Sequence, residues 1–130
     1  ITSSEVMEEK KSSTWKTHEE KLNNLSGELL ECYEDLCNYI EALGDDIVAN
    51  QVKDYIAYKK VQNVVCIEIF NKHLLVFLKI DPEKITLEDG FSKDMRNVGH
   101  HGTGDLQVTV KNKVDVDKVK SLLDKAYYEN

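Results

Sequence analysis

The segment of residues 99–105 combines side chains that often do chemistry with glycines that expose the backbone. Its sequence, Gly-His-His-Gly-Thr-Gly-Asp, holds two histidines, a threonine and an aspartate. A histidine beside an aspartate can transfer protons, and glycines let backbone N–H groups approach a ligand. The ligand-binding candidates are His100, Thr103 and Asp105 in this loop, with Arg96 just before it. The structural alternative, which the pattern favours, is a tight turn in which Thr103 or Asp105 bonds the local backbone.

No catalytic motif accompanies this loop from Gly99 to Asp105. Its glycine spacing and the lack of a Gly-Lys-Ser/Thr ending exclude a Walker phosphate-binding loop. Because it precedes a predicted strand rather than opening a helix, it is also not a dinucleotide-binding fingerprint. We therefore assign no catalytic residue, and the sequence favours a protein that is not an enzyme.

The sequence holds three cysteines and four histidines, which raises the question of a metal site. Cys32 and Cys37 lie on a predicted helix about 140° apart around its axis, so they cannot both face one ion. Cys66 falls in a predicted core strand, where a free thiol behaves as a small apolar side chain. No Cys-x-x-Cys or His-x-x-x-His spacing occurs. We expect neither a metal nor a cofactor.

Tyr58, Lys59 and Lys60 place an aromatic ring beside two cations, as single-strand nucleic-acid binders do. The alternative, which we favour, is an edge strand protected by lysines. The charge also argues against strong nucleic-acid binding, because the chain carries a net charge of −7 and one arginine, Arg96. Residues 1–46 hold 12 acids against 4 lysines, so the acidity belongs to the N-terminal third.

The length of 130 residues and the hydrophobic fraction of 41% are those of one folded domain. We predict a polar linker or tail over residues 1–14 and a single domain over residues 15–130, the C-terminal part of a longer protein. No apolar run approaches the roughly 20 residues of a membrane span. Three cysteines cannot all pair within one chain, and no signal peptide is evident, so we expect a cytoplasmic protein without a membrane partner.

A long amphipathic helix should come first. Its apolar stripe recurs at spacings of three and four residues: Leu22, Leu25, Leu29, Tyr33, Leu36, Ile40 and Leu43. Thr17 or Ser13 can cap its start, with Glu20 completing a capping box after Thr17. Gly44 follows the stripe and can end the helix in the left-handed conformation. Gly27 lies inside the helix at a small cost, and the stripe outweighs it.

Four strands and a second helix should follow. Residues 55–61, 64–70 and 73–80 are rich in aromatic and β-branched side chains, and residues 106–111 alternate apolar with polar ones. Residues 71 and 72 form a short turn, so the strands on either side are antiparallel. Helical spacing returns over residues 114–128. The sequence thus predicts an α+β fold: an antiparallel sheet of about four strands, with the long N-terminal helix and the C-terminal helix packed on one face.

Several of these segments together resemble a known prokaryotic family. They are Tyr55-Ile56-Ala57-Tyr58-Lys59, Leu78-Lys79-Ile80-Asp81-Pro82, Gly99-His100, Gly102-Thr103-Gly104-Asp105-Leu106 and Ala126-Tyr127. The pattern, over residues 50–128, resembles a domain of unknown function labelled "predicted transport protein", a C-terminal module found beside nuclease-like or restriction-system domains. The resemblance implies an accessory domain in a DNA-restriction or defence protein. The sequence itself contains neither the spans nor the carrier pocket that transport would need.

The sequence therefore favours a non-catalytic binding or specificity module of a larger protein. Its partner would be another domain of that parent, a separate protein or, more weakly, nucleic acid. The alternative is a small enzyme or ligand-binding domain centred on the loop of residues 99–105.

Overall fold

A six-stranded antiparallel sheet organises the computed structural model, which describes residues 16–98 and 104–130. The strands in these ranges are β1 (Val48–Gln51), β2 (Ile56–Lys59), β3 (Asn63–Ile69), β4 (Leu74–Leu78), β5 (Ser92–Asp94) and β6 (Leu106–Val110). The helices are α1 (His18–Asn23), α2 (Gly27–Glu41) and α3 (Lys113–Tyr128), with one 3₁₀ turn at Pro82–Lys84. The strand order is β1-β2-β3-β4-β6-β5, and every neighbouring pair is antiparallel.

The α+β class and the antiparallel sheet are confirmed, but the prediction of about four strands is too low. The predicted strands correspond to β2, β3, β4 and β6. The two that were missed, β1 and β5, are the edges of the sheet. They have only four and three residues, and no residue of either strand is buried. A short edge strand without a buried side lacks the alternation that reveals a strand in sequence.

The predicted long N-terminal helix is two helices. The predicted capping box is present: the Thr17 hydroxyl accepts from the Glu20 N–H, and the Glu20 carboxylate accepts from the Thr17 N–H. Asn24 ends α1, and its side-chain amide donates to the Glu20 carbonyl. Gly27 then begins α2 with a φ of +66°, a conformation that glycine adopts without strain. The stripe continues across this break because both helices pack on the same core.

Gly44 does not end α2 in the left-handed conformation, since positive φ among the described glycines occurs at Gly27, Gly90 and Gly104. Its small size matters instead. A Cβ at Gly44 would overlap the Tyr127 hydroxyl, which donates a hydrogen bond to the Asp46 carboxylate. Glycine thus lets the C-terminal end of α3 approach the connection from α2 to β1.

The main core lies between the sheet and the helices α2 and α3. Leu36 and Ile40 of α2, Val119 and Leu123 of α3, and Ile67 of β3 are fully buried there. Ile69, Val76, Leu78 and Val108 are also buried, while Leu29 and Leu122 are partly buried. The core residues of β6 alternate along the strand, so these helices cover one face.

The opposite sheet face carries a smaller cluster of Ala57, Cys66 and Phe77. Its strands place polar side chains next to this cluster, and Gln107 lies opposite Phe77 in the β4–β6 register. Across the described residues, no helix has both the length and the apolar character of a membrane span.

Candidate functional site

An open groove lies where β4 ends and β6 begins, and we call it the loop groove. Its volume is about 520 Å³. Four separate segments line it: residues 79–81 after β4 with Lys84, Arg96 after β5, residues 104 and 105 before β6, and residues 129 and 130 after α3. Because β4 and β6 are antiparallel neighbours with Leu78 opposite Leu106, the residues after β4 and before β6 meet at one end of the sheet.

Gly104 lines the loop groove and packs closely against the end of β4. Its φ is +117°, in the region that favours glycine. A Cβ at this position would overlap the carbonyl group of Leu78. The next residue, Asp105, accepts a 2.7 Å hydrogen bond from the Met95 N–H through its carbonyl. The backbone is therefore fixed by its neighbours, and the exposed Asp105 side chain is presented at the groove.

Arg96 lines the loop groove, but its charge is compensated within the chain. Its guanidinium donates to both carboxylate oxygens of Asp94, at 2.6–3.1 Å, and to Glu83 at 2.7 Å. These hydrogen bonds raise the pKa of Arg96 and, from the other side, lower the pKa of Asp94. Arg96 thus ties the segment after β5 to the 3₁₀ turn, which leaves little capacity for an external anion.

With Arg96 included, the charged groups that line the loop groove are balanced in sign. Lys79, Lys84 and Arg96 line it together with Asp81, Asp105 and Glu129. The Lys79 ammonium donates to the Gln62 side chain, and the Asn130 amide donates to the Lys79 carbonyl at 2.9 Å. Lys84 is exposed and has no ion pair within residues 16–98 and 104–130. The surface therefore offers an available cation near the exposed carboxylate of Asp105.

The structure brings two of the four predicted ligand-binding candidates, Arg96 and Asp105, to this groove. The other two, His100 and Thr103, lie outside the described residues. Sequence reasoning missed Lys79 and Lys84. They could have been found only from the strand order. Antiparallel pairing of residues 74–78 with residues 106–110 places residue 79 beside residue 105.

The predicted nucleic-acid contacts do not form one surface. Tyr58 is fully buried in the core, and its hydroxyl donates to Glu41 at 3.3 Å, so its ring is not available to stack on a base. The reason is that the Tyr58 side chain points to the sheet face that α2 covers, where it packs in the main core. The strand β2 is also not an edge, since β1 pairs along its outer side. Lys60 donates to the Tyr127 carbonyl at 3.0 Å and lies over the Tyr127 ring. Lys59 alone of the three is exposed.

A second groove, of about 510 Å³, lies on the sheet face away from α2 and α3, and we call it the sheet-face groove. Lys93, Gln107 and Thr109 line it, together with His73 and Lys111 at its end. No carboxylate is among its described lining residues, and neither Lys93 nor Lys111 has an ion pair within the described ranges. Burial and the nearby Lys111 lower the pKa of His73, so this imidazole is neutral at pH 7. Because its charged lining residues are Lys93 and Lys111, the sheet-face groove is basic, in contrast to the loop groove.

A polar network is buried between α1, α2 and β2. A 2.9 Å hydrogen bond joins His18 Nε2 to the Tyr33 hydroxyl. Cys37 lies beside Tyr33 and Tyr58, and burial raises the pKa of all three groups. These groups stay protonated at pH 7, and we infer that they fix helix packing rather than exchange protons with a ligand.

His18 and Lys21 are two titratable residues with buried side chains. His18 is fully buried, and its Nδ1 has no hydrogen-bond partner among the described residues. Burial, and to a lesser degree the nearby Lys21, lower the pKa of His18 to about 4. Lys21 lies 4.0 Å from the Glu68 carboxylate, and both side chains are buried. These groups join α1 to β3 and do not line either groove.

No group of three or more His, Cys, Asp or Glu side chains in residues 16–98 and 104–130 could hold a metal ion. Cys32, Cys37 and Cys66 form no disulfide bond with one another, and Cys32 and Cys66 are buried.

Comparison with known proteins gives two matches. The model of a family described as a domain of unknown function, DUF5655, matches residues 18–130. The chain is also similar to an uncharacterised protein of Haemophilus influenzae, with 32% identity over 96 residues. These residues are 74% of this chain and 32% of that protein, so the match spans about a third of the relative's length. No solved structure matches the chain.

Proposed function

Since the chain belongs to the DUF5655 family of domains of unknown function, we propose that it is a non-catalytic binding module that recognises a polypeptide segment through the loop groove. The supporting observation is the groove itself, which is open, has balanced charge and is built from four separate segments. The partner would be another domain of a longer parent or a separate protein. The Haemophilus relative supports the first possibility, because about two thirds of its length lies outside the match.

The charges of the loop groove favour a polypeptide over a polyphosphate. Asp81, Asp105 and Glu129 would repel phosphate groups, and Arg96 is already bonded to Asp94 and Glu83. A polypeptide can place an acidic side chain at Lys84 and a basic one at Asp105, while its backbone supplies both donors and acceptors. Such complementary charges across a contact favour the correct partner over others.

We expect short peptides selected from a random display library against the intact chain to bind with micromolar dissociation constants. The Lys84→Glu variant should bind them at least tenfold more weakly, because it reverses the available cation of the loop groove. The matched control is Lys93→Glu, the same charge reversal in the sheet-face groove, which should leave peptide binding unchanged. Fluorescence anisotropy with labelled peptides measures both variants. Equal weakening by the two variants, or no effect of Lys84→Glu, would contradict the proposal.

We propose nucleic acid as a second, weak partner, and the sheet-face groove as its place of binding. The support is the basic character of that groove, where Lys93 and Lys111 stand without a carboxylate among the described lining residues. We propose this surface, instead of Tyr58, Lys59 and Lys60, as the nucleic-acid binding site. Weak nucleic-acid binding also suits the DNA-restriction or defence context, which the sequence resemblance implies and which we retain as part of the proposal.

A labelled single-stranded oligonucleotide of about 20 nucleotides should bind the chain with a dissociation constant of about 10–100 μM near physiological salt. Affinity should fall steeply between low and high salt, because phosphate contacts release counterions. Lys93→Glu should weaken this binding more than Lys84→Glu or Lys59→Glu does, which is the reverse of the expectation for peptides. Nanomolar, salt-resistant binding would overturn this view, and so would a larger effect of Lys59→Glu than of Lys93→Glu.

We also propose that the protein is cytoplasmic. The support is that Cys32, Cys37 and Cys66 form no disulfide bond with one another, as is usual in proteins of reducing compartments.

A further inference from the structure

The outer edge of β1 is short but carries neither a charged residue nor a proline. All four residues of β1 are exposed and none is charged. Val48 is 62% exposed, and Val52, just after the strand, is 37% exposed. The other edge, β5, carries Lys93 and Asp94 in three residues. Soluble proteins generally protect an edge with charge, proline or a bulge, and an edge without these devices can pair with another strand.

The hydrogen-bond pattern shows which backbone groups of β1 are available for pairing. The Val52 N–H donates to the Tyr55 carbonyl, and Asn50 pairs with Ala57. Hydrogen-bonded pairs alternate in an antiparallel ladder, so the backbone groups of residues 48, 50 and 52 face β2. Those of Ala49 and Gln51 consequently point away from the sheet, towards any added strand.

These positions are self-complementary about Asn50. If two copies of β1 pair antiparallel with Asn50 at the two-fold axis, Ala49 of each copy faces Gln51 of the other. Both residues direct their N–H and C=O groups outward, so they form hydrogen-bonded pairs. Val48 then lies opposite Val52 of the second copy in a non-hydrogen-bonded pair, where side chains approach most closely. One register thus satisfies the backbone and covers both exposed valines.

Charged residues flank β1 on both sides. Lys53 and Asp54 follow it, and Asp45 and Asp46 precede it. Antiparallel pairing brings Lys53 of each copy to the aspartate end of the other, while Asp54 and Asp46, which lie opposite each other beyond the strands, contribute to keeping the dimer weak. No charged residue lies between these ends, so a second copy meets no like charge along the strand.

We propose that this edge is a self-association surface, in which β1 pairs with β1 of a second copy of the chain to continue the sheet. The contact involves one short strand from each copy, so it buries less than the roughly 1,600 Å² of a standard interface. We therefore expect a weak dimer that forms as protein concentration rises. This inference is independent of the two grooves, because none of the residues that line them belongs to β1.

Analytical ultracentrifugation of the full chain over a range of concentrations tests the proposal. The weight-average mass should rise from that of the 14.9 kDa monomer towards twice that value. Val48→Lys should raise the dimer dissociation constant at least tenfold, because it places a charge opposite the apolar Val52 of the second copy. The matched control is Val61→Lys, since Val61 is 86% exposed but lies outside β1, between β2 and β3. This variant should dimerise as the parent does.

A second variant acts on the backbone. Ala49→Pro removes an N–H that points away from β2, so the fold should be kept, as circular dichroism would show, while self-association is lost. A parent chain that stays monomeric at millimolar concentration would overturn the proposal. Equal weakening by Val48→Lys and Val61→Lys would overturn it too, as would a folded Ala49→Pro variant that dimerises like the parent.

Discussion

Replacing Gly104 with alanine is expected to lower the free energy of unfolding by about 3 kcal/mol or more. Two costs add at this position. The φ of +117° is unfavourable for any residue with a Cβ, and the new methyl group would overlap the carbonyl of Leu78. That carbonyl belongs to a strand in the middle of the sheet, where Leu78 pairs with Leu106. The strand cannot retreat without disrupting the β4–β6 ladder.

Gly90→Ala is the matched control for this prediction. Gly90 also has a positive φ, of +79°, but a Cβ there would have no neighbouring atom within 4 Å. It should cost only the conformational part, about 1 kcal/mol. Urea denaturation of both variants measures the difference. Equal losses would show that close packing of Gly104 on Leu78 is not what positions the segment before β6.

Acid should destabilise the protein through His18. The pKa of His18 is about 4 in the folded chain and 6.5, the ordinary value, in the unfolded chain. The unfolded chain therefore takes up the proton first as pH falls, and stability decreases between pH 6.5 and pH 4. A difference of this size corresponds to about 3 kcal/mol. The stabilisation is fully present above the unfolded pKa and lost as pH falls through the folded pKa.

His18→Gln tests this assignment, because glutamine can bond the Tyr33 hydroxyl but does not titrate. The variant will be less stable than the parent at pH 7, and its stability should depend less on pH between 6.5 and 4. His73→Gln is the comparison, since the pKa of the half-buried His73 is also lowered. It should have a smaller effect in the same direction. Parallel stability curves for His18→Gln and the parent would contradict the role of His18.

The central architecture could be predicted from the sequence because its signals are local and strong. Residues 106–110 alternate apolar with polar side chains, and the strand over them is observed. The capping box at Thr17 and Glu20 needs only two residues at the right spacing. The C-terminal helix has regular apolar spacing and is also found. In each case the pattern records contacts that lie within one element or on one face of it.

The missed features depend on contacts between distant segments. Neither β1 nor β5 has a buried residue or an alternation of apolar and polar side chains, and only pairing with β2 and β6 makes them strands. Tyr58 stands next to two lysines in the sequence, as in a surface contact, yet its side chain points to the sheet face that α2 covers and is fully buried. The members of the loop groove are far apart in sequence, as Lys84 and Asp105 illustrate. Their meeting follows from strand order, which local periodicity does not contain.

An NMR titration of the isotopically labelled intact chain with a selected peptide tests the central claim most directly. The claim is that the chain binds a polypeptide through the loop groove. The account predicts that the largest amide shift changes occur at Lys84, Asp105 and Asn130, and that they disappear in the Lys84→Glu variant. Shift changes confined to Lys93, Gln107 and Thr109 of the sheet-face groove, or to β1, would contradict it.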